Sequence, residues 1–272
     1  MVDTLAPPVR RALNAHTILK TTGLLWFLAA VIGQWLFAYY VIAAYAPETL
    51  SGAWERWDET GLIQGFTVDD LIGNLAFISH TLLTAVICIG GTMQLMPPVR
   101  KRFPALHRWT GRTYLTVGAF MAIGGIWMIW GRGARLTDLG GWGTTINGLM
   151  ALVTIAVAFY FAKRRKIEQH RRWAMRTFIL LSGVWFTRLG YMSWAIATGG
   201  LGMSRSLDGP FDMFIAFGSY LLPLAVLELY FLASDSRSGG VKLAMSGVML
   251  AATAATALGV FGAWSVMWSP HV

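Results

Sequence analysis

The sequence predicts an all-α fold: a polytopic membrane bundle of seven transmembrane helices, with the N-terminus cytoplasmic and the C-terminus outside. Three observations carry this. Of 272 residues, 56% are apolar and 13% are charged, with a mean hydropathy of +0.55; that is about half the charge of an ordinary soluble domain. Apolar runs near 20 residues recur, the length an α-helix needs to cross the hydrocarbon core. The basic residues gather in alternate loops, as membrane topology requires.

The first span is placed at 22–46. Arg10, Arg11 and Lys20 precede it and Ala44-Tyr45-Ala46 closes it. Its apolar core is longer than that of a signal peptide, and Pro47 would follow the cut, so it reads as a retained helix. The loop 47–70 carries Trp54 and Trp57 and is expected to lie at the outer interface. Thr67-Val68-Asp69-Asp70 reads as a capping box that starts the second span, 71–96. The remaining spans are expected at 110–131, 142–162, 171–197, 211–233 and 242–268. Trp109, Trp130, Trp142, Trp173 and Trp194 fall at their ends and read as an aromatic belt. The organisation is then an arm (1–21) and one membrane domain (22–268), with spans two to five (about 70–197) as its core.

Net charge is +9. In a soluble protein that would suggest nucleic acid; here orientation explains it, and no nucleic-acid partner is expected. One side holds Arg10, Arg11, Lys20, Arg100, Lys101, Arg102, Arg108, Arg112, the run from Lys163 to Lys166, Arg171, Arg172, Arg176, Arg237 and Lys242. The other holds most of the acids, including Glu48, Glu55, Asp58, Glu59, Asp69 and Asp70. The single cysteine, Cys88, excludes an internal disulfide and a CxxC motif.

Two segments echo one another. Arg108-Trp109-Thr110-Gly111-Arg112-Thr113-Tyr114 opens the third span and Arg172-Trp173-Ala174-Met175-Arg176-Thr177-Phe178 the fifth, after His107 and His170 respectively. Arg108 and Arg112, like Arg172 and Arg176, are four apart and share a helix face. Together they suit an anion: a lipid phosphate, a carboxylate or haem propionates. Topology and snorkelling to headgroups explain them equally well. His107 and His170, level on neighbouring helices, suit the axial ligands of a b-type haem iron, a metal ion, or no ligand.

Deeper in the membrane, His80 and Arg188 lie about 14 and 15 Å from the outer ends of their spans, at about 1.5 Å per residue. With Gln94 and Glu228 they form a candidate midplane polar pocket, suited to a quinone oxygen or a carboxylate. Arg188 is the only basic side chain deep in a span, and such a charge needs a partner. Glu228, beyond the kinking Pro223, is expected to pair with Arg112 or Arg176 or to accept a proton. No lysine sits mid-span in the last helix, which excludes a retinal Schiff base. Walker, HExxH and GxSxG motifs are absent.

Four pieces resemble a bacterial membrane family catalogued as domain of unknown function 2306. They are His80 with Gln94, the run from Pro104 to Tyr114, the run from His170 to Arg176, and Arg188. Met96 and Ala174 depart from its usual pattern without removing a polar side chain. The resemblance implies that these positions form one site, and it implies no activity. A looser similarity is to cytochrome b561-type haem bundles. The leading expectation is an integral protein of the bacterial inner membrane that binds haem b. His107 and His170 would ligate it, Arg108, Arg112, Arg172 and Arg176 would hold its propionates, and a quinone-like ligand would sit at the midplane. The alternatives are a transporter or binding protein for an anionic amphiphile such as an anionic lipid, and an accessory subunit of a larger respiratory membrane complex.

Overall fold

The computed structural model describes residues 14–59 and 63–272. Arg10, Arg11 and the rest of 1–13 lie outside the described residues, as do positions 60–62 of the outer loop. The described chain is helical, without strands: α1 Ala15–Ser51, α2 Leu71–Leu95, α3 Pro97–Arg102, α4 Pro104–Gly131, α5 Asp138–Lys163, α6 Ile167–Leu181, α7 Gly183–Thr198, α8 Pro210–Asp235 and α9 Gly239–Ala263, with short 3₁₀ turns at Trp54–Glu59 and Ser269–His271 and a wide π-turn at Trp264–Trp268 after α9. Six of these, α1, α2, α4, α5, α8 and α9 with its extension, are long and apolar enough to cross a membrane.

The expected fifth span is the exception. It is two helices, α6 and α7, that meet at Ser182. The break is held by side chains, as an interruption at membrane depth must be. The Ser182 hydroxyl donates to the Phe178 carbonyl at 2.8 Å and accepts from Gln34 Nε2 at 2.8 Å. Asn147 Nδ2 takes the Leu180 carbonyl at 3.0 Å. Gly183 is where the chain passes Asn147; a Cβ there would lie 3.2 Å from its side-chain carbon.

The helices form a closed circuit. α1 packs against α2 and α9, α2 against α4, α4 against α5, and α5 against α6 and α8; α7 lies against α8 and α9. The core is shared by α1 (Phe37, Tyr40, Val41), α2 (Cys88), the broken pair (Phe178, Trp185), α8 (Leu227, Phe231) and α9 (Val260, Ala263). Trp109, Trp130, Trp142 and Trp194 are exposed near helix ends.

Trp57 of the outer loop is fully buried, stacked on Trp54 at a centroid distance of 5.4 Å and tilted against Phe77 at 6.0 Å. One local expectation changes. The cap of α2 is Asp70, not Thr67: its carboxylate accepts from Gly73 N at 2.9 Å. Thr67 is instead held through both backbone polar groups by the Asn74 amide, at 2.9 and 2.8 Å.

Candidate functional site

A cavity of about 1060 Å³ opens at the basic end of the bundle. Met96 is extended because Pro97 follows it, which ends α2; Pro104 restarts the chain as α4. This reversal lays Gln94 on the first turn of α4. Gly111 makes room for it, since a Cβ there would fall 2.8 Å from the Gln94 amide. With the Gln94 amide turned so that its oxygen meets the Gly111 N–H at 3.1 Å, its nitrogen donates to His107 Nδ1 at 3.0 Å and its oxygen accepts from Thr110 Oγ1 at 2.6 Å. An accepting Nδ1 places the neutral imidazole's proton on Nε2. Across the cavity mouth, His170 Nδ1 lies 2.9 Å from the Ala158 carbonyl. A carbonyl can only accept, so Nδ1 donates, and in the neutral imidazole Nε2 is then the lone pair. The two imidazoles lie within electrostatic reach of each other.

The two arginine pairs, alike in sequence, part company. Arg176 makes a two-bond fork to Glu228 (Nε–Oε1 2.6 Å, Nη2–Oε2 2.7 Å) between the Trp173 and Phe231 rings. Arg172 binds Asp235 at 2.7 and 2.9 Å and Glu168 at 3.1 Å. Glu168, bonded also by Arg171, is held down to about 2 by these two guanidinia. In the first copy Arg112 stacks on Trp109, with 5.1 Å to the centroid. Arg100, Arg108 and Arg112 make no ion pair among the described residues, and all three line the cavity. Glu228→Gln is expected to cost roughly 1–2 kcal/mol of stability, because a hydrogen bond between ions becomes one to a neutral amide. A double-mutant cycle with Arg176→Gln, read by thermal unfolding, should be strongly non-additive.

Beyond this end the cavity is apolar. It runs between α1 (Gly23, Trp26), α7 (Phe186, Leu189, Gly190), α8 (Leu222, Val226) and α9 (Met249, Ala252).

The expected midplane pocket does not assemble. Gln94 sits with His107, and Glu228 with Arg176. His80 faces Gly125 of α4, where a Cβ would lie 3.3 Å from its ring. Arg188 lies over the Phe37 ring of α1 at 5.2 Å, and no contact joins it to His80. A bis-histidine haem fits the donor set poorly. Arg172 and Arg176 are spent on carboxylates, so two of the four arginines expected at the propionates are already paired. Among the described residues no group of three or more His, Cys, Asp or Glu converges on a metal position.

Sequence reasoning missed Arg100 and the polar pins Gln34 and Asn147. The last two were legible as amides inside apolar runs, where an unpaired amide is costly.

No curated protein and no solved structure matches the chain, so the similarity to cytochrome b561 bundles gains nothing from comparison. A family model described as a predicted membrane protein, DUF2306, matches residues 77–230. That stretch runs from the second turn of α2 to Tyr230 in α8, and it includes every histidine and arginine of the cavity mouth. It covers more than half of the chain, and with the apolar, multi-pass helical fold it places this protein in the DUF2306 membrane protein family.

Proposed function

We propose that this protein binds an anionic amphiphile within the bilayer, as a carrier or transporter of the bacterial inner membrane whose basic end faces the cytoplasm. One observation carries the reading. A cavity with two histidines at its mouth, and three arginines that make no ion pair among the described residues, continues as an apolar passage among α1, α7, α8 and α9. At about 1060 Å³ it is at the upper limit of drug-sized pockets, roughly 300–1,000 Å³, and suits a lipid chain. Arg108 and Arg112 would meet the headgroup with charge-assisted bonds. His107 would donate from Nε2 and His170 would accept at Nε2 or, protonated, donate.

The test uses one chain with three headgroups. Oleyl phosphate, oleic acid and oleyl alcohol are added to protein in mild detergent, and thermal protection is recorded. The two anions are expected to protect at lower concentration than the alcohol. Arg108→Ala/Arg112→Ala should raise the concentration required by about tenfold or more, the equivalent of about 1.4 kcal/mol. Equal protection by the alcohol would remove the headgroup from the reading. A Soret band in protein purified from haem-replete membranes, lost in His170→Ala, would replace the reading with haem.

A further inference from the structure

We propose that Arg188 anchors a second site, for a small carboxylate or similar oxyanion, at mid-membrane depth on the side of α7 away from the cavity. Phe186, Leu189, Gly190 and Ser193 of α7 line the cavity. At 3.6 residues per turn Arg188 points to another face of that helix, toward α1 and α2. There its guanidinium stacks on Phe37 and donates from Nη1 to the Val184 carbonyl at 3.2 Å, within its own helix. Its other neighbours within electrostatic reach are Tyr40, Tyr45 and Cys88. Phenols and thiols are ordinarily neutral near pH 7. No carboxylate among the described residues pairs with it, whereas Arg56, Arg132, Arg135, Arg171, Arg172 and Arg176 each have one.

A lone guanidinium at this depth costs several kcal/mol unless something compensates it. Among the described residues, no carboxylate lies within electrostatic reach of the guanidinium. The guanidinium has Nε and Nη2 without an acceptor among the described residues, and that edge is the one that takes a carboxylate with two parallel bonds. A bound anion would supply both the missing charge and the missing acceptors.

Acetate is the probe. Wild-type protein in an uncharged detergent is titrated with acetate at constant ionic strength, with a bulky sulfonate as the balancing anion, and the unfolding temperature is followed. A saturable rise is expected, since a ligand bound only by the folded state stabilises it. Arg188→Met should unfold at or above the wild-type temperature without acetate and show no saturable rise, because it removes the uncompensated charge and keeps the volume. Arg188→Lys keeps the charge and loses the fork, so its half-saturation should shift several-fold upward. Arg188→Lys also stands in if Arg188→Met does not fold. In Arg108→Ala/Arg112→Ala a saturable rise should persist, which separates this site from the arginines of the cavity mouth. An identical response in wild type and both Arg188 variants would place acetate on surface cations and overturn the proposal. So would a flat wild-type response with Arg188→Met destabilised, which would make Arg188 a packing residue.

Discussion

Replacing Gly143 with alanine is expected to destabilise the protein by about 2–3 kcal/mol, the upper part of the range for overpacking. Gly143 is buried on α5, where that helix crosses α8. A Cβ at this position would overlap the Ala216 carbonyl oxygen and lie 2.9 Å from the carbonyl carbon. The obstacle is backbone, so no rotamer change relieves it; two helices must move apart and lose the close packing that holds membrane helices together. Gly124→Ala in α4 is the control. No atom lies within 4 Å of its would-be Cβ. There the same chemical change should stabilise by about 0.4–1 kcal/mol, through a less flexible unfolded chain. Thermal unfolding of both variants in one detergent gives the comparison. Equal effects at the two positions would show that α5 and α8 do not approach as described.

Arg132→Met is the second large effect expected, about 3 kcal/mol. The Arg132 side chain, only 10% exposed, clamps the outer loop to the ends of α2 and α4. It donates to Asp70 Oδ2 at 2.8 Å, the Gly65 carbonyl at 3.0 Å, Thr67 Oγ1 at 3.3 Å and Asn74 Oδ1 at 2.6 Å. Hydrogen bonds to a charged group contribute about 1.5–3 kcal/mol each, and they are lost together here. Lysine should not restore them, because one ammonium cannot reach four acceptors spread over a planar fork. The clamp also sets a pH dependence. The Gly73 N–H and then Arg132 hold the Asp70 carboxyl below its usual range. A depressed carboxyl contributes stability above the unfolded-state value, near 4, and loses it as pH falls through the lower folded value. Wild-type protein should therefore weaken in that acidic window. Arg132→Met should weaken less steeply there, with the Gly73 bond alone remaining. Unfolding temperatures between about pH 3 and 6 decide it, and parallel curves would mean the pair does not set the Asp70 titration.

The site was legible in part. His107, His170, Arg108 and Arg112 are visible as a motif at one depth, and the structure places all four at the mouth of one cavity. What the motif cannot reveal is which arginines are already neutralised. Arg172 and Arg176 read as twins of Arg108 and Arg112, yet their carboxylates, Asp235 and Glu228, come from 52 to 63 residues away on α8. Arg188 and His80 looked level by residue count along their helices. Depth fixes one coordinate only, and the direction around each helix axis turned them to different neighbours, Phe37 and Gly125.

The sequence by itself determined that this chain is a helical, multi-pass membrane protein, where most of its spans lie, and which residues gather at its basic end. Those properties are local: apolar runs of bilayer length, charge beside each run and spacing along one helix are all readable without a neighbour. The tertiary structure alone decided that one span is broken at Ser182, where Gln34 and Asn147 arrive from other helices to satisfy its backbone. It also decided that Asp70 caps α2 and that an apolar cavity lies behind the histidines. These depend on partners distant in sequence. In a medium without water each polar group must find such a partner, and which one it finds is settled only when the helices pack.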